Sequence, residues 1–262
     1  MIRVVVAGGA GKMGREVCQA VDKDPDLELV GAVGRQSVGI DLAKLLHLKN
    51  DIVVVEDLER SLQENRPQVM VDFTNPASVM DNIRCALRNK VHVVVGTTGI
   101  SDKNLREIES LTRERQANAI IAPNFAIGAV LLIKLSELTA EHFPQVEIIE
   151  QHHDKKVDAP SGTALKTATS IAAKRKTKTP PPMGETVRGV RGGTVEGIQI
   201  HSVRLAGLSA HQEVIFGGPG QTLKIRHDVL DRSCYMPGVV LSIKQVPKRP
   251  GLTFGLDKLL NL

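Results

Sequence analysis

An α/β fold with a doubly wound parallel sheet, followed by a second α+β unit, is predicted by three observations. Between residue 1 and about residue 123, short apolar runs alternate with amphipathic segments, the pattern of parallel strands covered by helices. The first of these runs leads directly into a glycine-rich turn. After Pro123-Asn124-Phe125 the pattern changes to one long apolar helix and then to alternating segments suited to a mixed or antiparallel sheet.

Taken in order, the expected strands of the first part are Ile2 to Ala7, Leu27 to Val33, Ile52 to Val55, Val69 to Phe73, Val91 to Val95 and Ala119 to Ala122. The clearest helix between them runs from Ser101, its cap, to Gln116. The second part opens with a helix from Ile127 to His142 and a strand from Val146 to Gln151, and a helix from about Thr163 to Ala173 follows. Residues Lys176 to Thr194, with Pro180-Pro181-Pro182 and repeated glycine, read as a long mobile loop and candidate lid. Ile198 to Leu205, His211 to Phe216 and Gln221 to His227 read as antiparallel strands, and Met236 to Gln245 as a helix.

Composition narrows the function. The chain of 262 residues has room for two modest domains. It contains no stretch near the roughly 20 apolar residues of a membrane helix. Ile2 to Ala7 follows the first residue with no charged-then-apolar leader, so a cytoplasmic location and no membrane partner are expected. A net charge of +5 without any Trp and with one Tyr argues against nucleic acid as partner and suits phosphorylated cofactors and carboxylate substrates. Cys18, Cys85 and Cys234 are too widely spaced for a metal-ligand set and read as buried thiols.

The turn Gly8-Gly9-Ala10-Gly11-Lys12-Met13-Gly14 sits between a strand and a helix whose apolar face carries Val17, Cys18 and Val21. Gly8 suits a tight turn, Gly11 the close approach of backbone N–H groups to a pyrophosphate, and Gly14 helix packing on the sheet. The anion then rests on the helix N-terminus, as in a Rossmann-type dinucleotide site. Ala10 relaxes the strict G-x-G-x-x-G spacing to G-x-x-G-x-x-G. At the end of the second strand, Gly31-Ala32-Val33-Gly34-Arg35-Gln36 holds no acid for a ribose hydroxyl. Arg35, with Lys12, suits a 2′-phosphate, so NADPH is expected over NADH. Phe73-Thr74 and Gly96-Thr97-Thr98, at two further strand ends, should border the nicotinamide and its ribose.

The densest chemistry lies in the run from Glu150 to Ala164. Ser161-Gly162-Thr163 places a hydroxyl and backbone N–H groups at a helix start, a site for a substrate carboxylate. Lys156 adds a full positive charge, and His152 or His153 supplies a proton near neutral pH. Plainer readings are that Ser161 only caps the helix, or that the histidines hold a metal. Adjacent side chains on extended backbone point apart and no ligand set accompanies them, so no metal is expected.

These residues resemble the 4-hydroxy-tetrahydrodipicolinate reductase family of lysine and diaminopimelate biosynthesis. The resemblance rests on Val6 to Gly14, Asp72-Phe73-Thr74, Gly96-Thr97-Thr98-Gly99, Ala122-Pro123-Asn124-Phe125 and, above all, His152-His153 through Thr163. It continues through Arg204, Ala210 to Val214 and Arg232 to Gly238. It implies reduction of (2S,4S)-4-hydroxy-2,3,4,5-tetrahydrodipicolinate, after loss of water, to (S)-2,3,4,5-tetrahydrodipicolinate by NAD(P)H. Under it, His152 is the proton donor and Lys156 acts with it, while His153, Ser161, Gly162 and Thr163 bind the dicarboxylate. Ala122, Pro123, Asn124, Phe125 and Arg232 join the cofactor contacts.

A homotetramer assembled through the second sheet is also implied. So is a dinucleotide domain over 1–124 completed by 233–262, a substrate and tetramerisation domain over 125–232, and closure about hinges near Asn124 and Arg232. The chain departs from the family pattern at Arg35, Ala126 and Val130, none of them in the catalytic stretch. A different class, an NADP-binding sensor without turnover, would have little use for His152 and Lys156.

Overall fold

The computed structural model describes residues 1–176 and 184–260. It separates into two compact units: Met1–Ala126 with the described residues from Tyr235 onward, and Ile127–Cys234.

In the first unit β1 (Ile2–Ala7), α1 (Lys12–Lys23), β2 (Leu27–Val33), α2 (Leu42–Leu46), β3 (Val54–Val55), α3 (Leu58–Asn65) and β4 (Val69–Asp72) follow one another. Then come α4 (Val79–Arg88), β5 (His92–Val95), α5 (Asp102–Arg115) and β6 (Ala119–Ile121). The seven strands pair in the order β12-β6-β5-β4-β1-β2-β3, where β12 is Leu252–Phe254, and every pairing is parallel. The order reverses direction at β1 and β4, so their carboxyl ends splay apart and leave a crevice for a ligand. Strands buried on both faces read as continuous apolar runs, and Val4, Val5 and Val6 are wholly inaccessible.

Local chemistry sets the helices. In α1, Gly14, Val17, Cys18 and Val21 recur at helical spacing and form the buried face. Burial pushes the Cys18 thiol up to about 12, so it stays a neutral apolar group. Ser101 caps α5 by accepting from the Asn104 N–H at 3.3 Å. The third strand is shorter than expected, because only Val54 and Val55 pair with β2 and Val53 makes a lone bridge to Asp41.

Strand β12 was not expected. It lies beside β6, and the Asn118 side chain fixes the approach by accepting from the Gly251 N–H and donating to the Val246 carbonyl. Helix α8 (Met236–Gln245) lies against α1, and Lys244 pairs with Asp24 and Asp26 at 2.9 and 2.7 Å.

In the second unit α6 (Ile127–Ala140), β7 (Gln145–His152) and α7 (Gly162–Lys174) precede β8 (Gly193–Val195), β9 (Ile198–Arg204), β10 (Ala210–Gly218) and β11 (Gln221–Val229). The sheet order is β11-β10-β7-β9-β8. One expectation is corrected: β9 runs parallel to β7, not antiparallel, so the sheet is mixed. The physical reason is α7, which carries the chain back across the sheet and so allows a parallel return. Another correction concerns the expected loop from Lys176 to Thr194. Gly193 and Thr194 belong to β8, paired antiparallel with β9, while residues 177–183 of the candidate lid, with the triple proline, lie outside the described residues.

The core of this unit is one face of β7, Val146 and Ile148, packed with Ala164, Ala168 and Ile171 of α7 and Val214 and Phe216 of β10. Among the described residues no helix is long and apolar enough to cross a membrane.

Candidate active site

In the first unit the glycine turn, the ends of β2 and β4 and the start of α4 line an open cleft of about 1240 Å³. Gly8 adopts φ +81°, and a Cβ there would lie 2.6 Å from the Phe73 carbonyl oxygen, so the loops after β1 and β4 meet at glycine alone. A Cβ on Gly14 would fall 2.0 Å from the Gly8 oxygen, which explains why the helix start tolerates no side chain there. Gly11 is different: it is exposed, and its nearest neighbour would be 3.2 Å away. Its bareness keeps space open toward the cleft instead of relieving a clash. Gly11 also stands at the N-cap of α1 with no side-chain cap, which leaves the first N–H groups of the helix, from Lys12 and Met13, open for an anion. This cradle fits a dinucleotide pyrophosphate.

Arg35 begins a 3-10 turn directly after β2, is exposed, lines the same cleft, and makes no ion pair among the described residues. Lys12 is likewise exposed on the first turn of α1. Phe73 and Phe125 stack at a tilt with centroids 5.8 Å apart. Gly96 lies under the Phe73 ring, since a Cβ there would come within 2.1 Å of it. Thus Gly8, Phe73, Thr74, Gly96 and Phe125 are brought together at the strand ends. Thr98 and Pro123 are exposed, Ala122 is buried, and Asn124 accepts from the Ala126 N–H at 2.9 Å. Arg232 falls in the second unit, exposed in a 3-10 turn.

Sequence reasoning counted Asp72, the last residue of β4, in the strand-end run beside the nicotinamide but gave its carboxylate no part of its own. Its carboxylate is fully buried yet accepts from the Thr74 N–H and hydroxyl (3.0 and 2.8 Å), the Thr97 hydroxyl (2.7 Å) and the Asn82 amide (2.8 Å). Four donors replace water around one charge, and they bind the β4 loop, the β5 loop and α4 into one piece.

In the second unit β7 ends at His152, and its alternation places Val146, Ile148, Glu150 and His152 on one face. Glu150 is wholly buried. The His152 Nδ1 lies 2.5 Å from Glu150 Oε2, and Arg204 grips the same carboxylate with two nitrogens at 2.8 and 3.0 Å. The parallel register sets Arg204 opposite His152. Burial pushes the Glu150 carboxyl up, but hydrogen bonds from Arg204, Ser202 and His152 outweigh it and hold the group below its ordinary value. Burial pushes the His152 imidazole down from 6.5 against the opposing pull of Glu150, and the charges of Lys156 and Arg204 add to the fall.

Helix α7 starts at Gly162, with Ser161 as cap accepting from the Ala164 N–H at 3.2 Å. The Ser161 N–H itself donates to Glu150 at 3.3 Å, so the open N–H groups are those of Gly162 and Thr163. Ser161 is thus both a cap and a neighbour of the histidine's carboxylate. Gly162 is exposed, and a Cβ there would meet nothing within 4 Å. Lys156 holds Asp158 with two contacts at 2.7 and 2.9 Å, and this partner keeps the Asp158 carboxyl below the usual range. His153 is exposed beside the same loop. Imidazole, ammonium and two free helix N–H groups within one loop and helix start can together receive a carboxylate and deliver a proton. Among the described residues no group of three side chains suited to a metal ion occurs.

Sequence reasoning gave Glu150 and Arg204 no role of their own, although Glu150 opens the chemistry-rich run and Arg204 falls within the resemblance. A charged residue in phase with the apolar face Val146 and Ile148 was the available signal.

Comparison with known proteins agrees with this arrangement. Residues 2–125 match the family described as Dihydrodipicolinate reductase, N-terminus, and residues 128–260 the family described as Dihydrodipicolinate reductase, C-terminus. A 4-hydroxy-tetrahydrodipicolinate reductase of Syntrophomonas wolfei is 50% identical over 98% of each chain. One from Moorella thermoacetica is 49% identical over 99% of this chain and 98% of that one. The solved structure of a dipicolinate-bound dihydrodipicolinate reductase from Paenisporosarcina sp. TG-14 superposes with a TM-score of 0.88 at 43% identity, covering 98% of this chain and 99% of the other. An amine dehydrogenase from Mycobacterium smegmatis, at 17% identity and a TM-score of 0.65, shares the fold alone. With both halves matched in order along nearly the whole chain, this protein belongs to the dihydrodipicolinate reductase family.

Proposed function

We propose that this chain reduces (2S,4S)-4-hydroxy-2,3,4,5-tetrahydrodipicolinate, after loss of water, to (S)-2,3,4,5-tetrahydrodipicolinate, using NAD(P)H with NADPH preferred. The observation that carries the reading is the His152, Lys156 and Gly162-Thr163 constellation, which pairs a proton source with sites for carboxylate charge. When bound, the reduced nicotinamide supplies a hydride. The chain's own residues do the rest. The Gly162 and Thr163 N–H groups and the Lys156 ammonium hold and orient the dicarboxylate, Lys156 exchanging Asp158 for the substrate. His152 delivers a proton beside the carbon that receives hydride. His153 and the Ser161 hydroxyl complete the substrate contacts.

On the nucleotide side, Gly8, Gly11 and Gly14 shape the pyrophosphate cradle and Lys12 and Met13 offer it N–H groups. Phe73, Thr74, Gly96, Thr97 and Thr98 border the nicotinamide half, with Ala122 to Phe125 and Arg232 as further contacts. The preference for NADPH is supported by Arg35, a cation without an ion-pair partner among the described residues at the end of β2, where no acid awaits a ribose hydroxyl. Residues 1–124 with 233–262 form the dinucleotide domain in this reading, and 125–232 the substrate and tetramerisation domain. Assembly as a homotetramer through the second sheet is supported by β11, a nine-residue strand at the sheet edge that carries exposed Leu223.

The test is oxidation of NADPH and of NADH, followed by loss of the reduced nicotinamide's absorbance, with substrate generated freshly from pyruvate and aspartate semialdehyde. Turnover with a higher kcat/KM for NADPH is expected. Absence of turnover at any pH overturns the reaction, and a higher kcat/KM for NADH overturns the preference.

A further inference from the structure

We infer that Glu150 is a positioning residue for the reaction: clamped by Arg204, it fixes His152 in the Nδ1–H tautomer and turns Nε2 toward the substrate as the proton-delivering atom. The inference rests on the proposed reduction for the word substrate, but the geometry stands without it.

Three observations carry it. First, Glu150 has no access to water and is the sole acceptor held against His152 Nδ1, at 2.5 Å, among the described hydrogen bonds. A carboxylate has no proton to give, so Nδ1 must carry one, and a neutral ring then bears its lone pair on Nε2. Second, the carboxylate cannot swing away. Arg204 binds both of its oxygens, and the same guanidinium donates to the Asp158 carbonyl at 2.6 Å, which ties the Lys156–Asp158 loop to the same anchor. Third, the Ser161 N–H also donates to Glu150. One buried charge therefore registers the imidazole, the cationic loop and the start of α7 against one another.

The proton balance follows. In the charged form Nε2 carries a proton, which passes to the substrate, while hydride comes from the nicotinamide. His152 is left neutral with Nδ1–H still on Glu150 and regains a proton at Nε2 from solvent. The groups acting on the ring are Glu150 on its own strand, Arg204 on β9, and Lys156 in the following loop, itself paired with Asp158. Ala210, opposite on β10, adds no charge. Of these, Glu150 draws a proton toward the ring, whereas Lys156 and Arg204 repel it.

Two experiments test the assignment. In the full-length wild-type protein, ¹⁵N NMR of the His152 ring above its titration should show a protonated Nδ1 and an unprotonated Nε2. The reverse pattern overturns the inference, whatever the enzyme's activity. In Glu150→Gln the limb of kcat/KM that falls with rising pH should move to lower pH, because the charge that holds the proton is gone. A move of about one pH unit corresponds to about a tenfold lower kcat/KM at pH 7. Glu150→Asp, which retains the charge, should leave the limb nearer its wild-type position. A residue that merely supports the fold would lower kcat without moving the limb, and that result overturns the inference. If Glu150→Gln does not fold, the wild-type tautomer decides. Lack of turnover in the wild type would instead overturn the proposed reaction and leave the tautomer measurement intact.

Discussion

The helices α1 and α7 both begin where the chain leaves a strand of their own sheet, and both leave N–H groups open, yet they are built in opposite ways. The start of α1 has no side-chain cap and four glycines in the turn from Gly8 to Gly14. Shape alone makes it receptive. The start of α7 is capped by Ser161 and backed by the buried Glu150, Arg204 and His152. A pyrophosphate needs only a close approach to a helix dipole, whereas a substrate that must be oriented and protonated needs fixed charges. The contrast separates a site that holds a ligand from one that also alters it.

The sharpest way to break that contrast is His152→Ala. Loss of a general acid should lower kcat by about 10²–10⁴-fold. Cofactor affinity, measured by fluorescence titration of NADPH, should stay within about twofold, since the α1 cradle does not depend on this ring. In the wild type, kcat/KM should fall as pH rises through a value below 6.5, because the free enzyme's His152 is pushed down by burial and only its protonated form is active. The corresponding limb of kcat should lie at higher pH, because a bound dianion favours the charged ring. A kcat limb at lower pH than that of kcat/KM would contradict the role.

Next in size is Asp72→Ala, which asks whether the first unit, too, relies on a buried charge behind its site. The Thr97 hydroxyl and Asn82 amide would lose their acceptor, each at a cost of about 1–3 kcal/mol. A clear fall in denaturant midpoint together with weaker cofactor binding is expected. An unchanged midpoint would show that water replaces the carboxylate.

A matched pair of glycine substitutions then compares the two helix starts directly. Gly14→Ala would force a Cβ into the Gly8 carbonyl and should destabilise by about 1–3 kcal/mol, as overpacking does. Gly162→Ala meets open space and should keep stability or raise it slightly, by about 0.4–1 kcal/mol through the unfolded chain. It should nonetheless raise the substrate KM, because the methyl group fills room reserved for a carboxylate. Equal melting temperatures for the two variants would erase the distinction drawn here.

The smallest effect expected is that of Arg35→Ala, about a tenfold lower kcat/KM with NADPH and little change with NADH, the scale of one charge-assisted contact. A parallel fall with both cofactors would remove the specificity role.

Much of the fold was legible because burial on both faces leaves a direct mark: β1 and β2 match their apolar runs residue for residue, and α8 matches its helical pattern. The short strands β8 and β12 left no such mark. Three residues are too few for a period; β8 forms only as the near arm of a tight hairpin with β9, and β12 depends on a partner strand distant in sequence and on Asn118. The direction of β9 was equally hidden, since alternation records which face is buried but not which way a strand runs. At the site, Gly8 and Gly14 announced themselves through spacing, while Gly9, whose Cβ would lie 2.8 Å from that of Ala32, did not. The phase of Glu150 with Val146 and Ile148 marked a buried charge, but its pairing with Arg204 is made by register between β7 and β9, which no local pattern encodes.

The place of β12 bears on how the protein is made. Its three residues cover the outer edge of β6, yet the whole of Ile127–Cys234 is synthesised between those two strands. On the ribosome, the edge of β6 therefore waits bare while the intervening unit, contiguous in sequence, is free to fold first. The early nascent chain is thus the one exposed to strand-to-strand sticking until β12 has emerged to cover that edge.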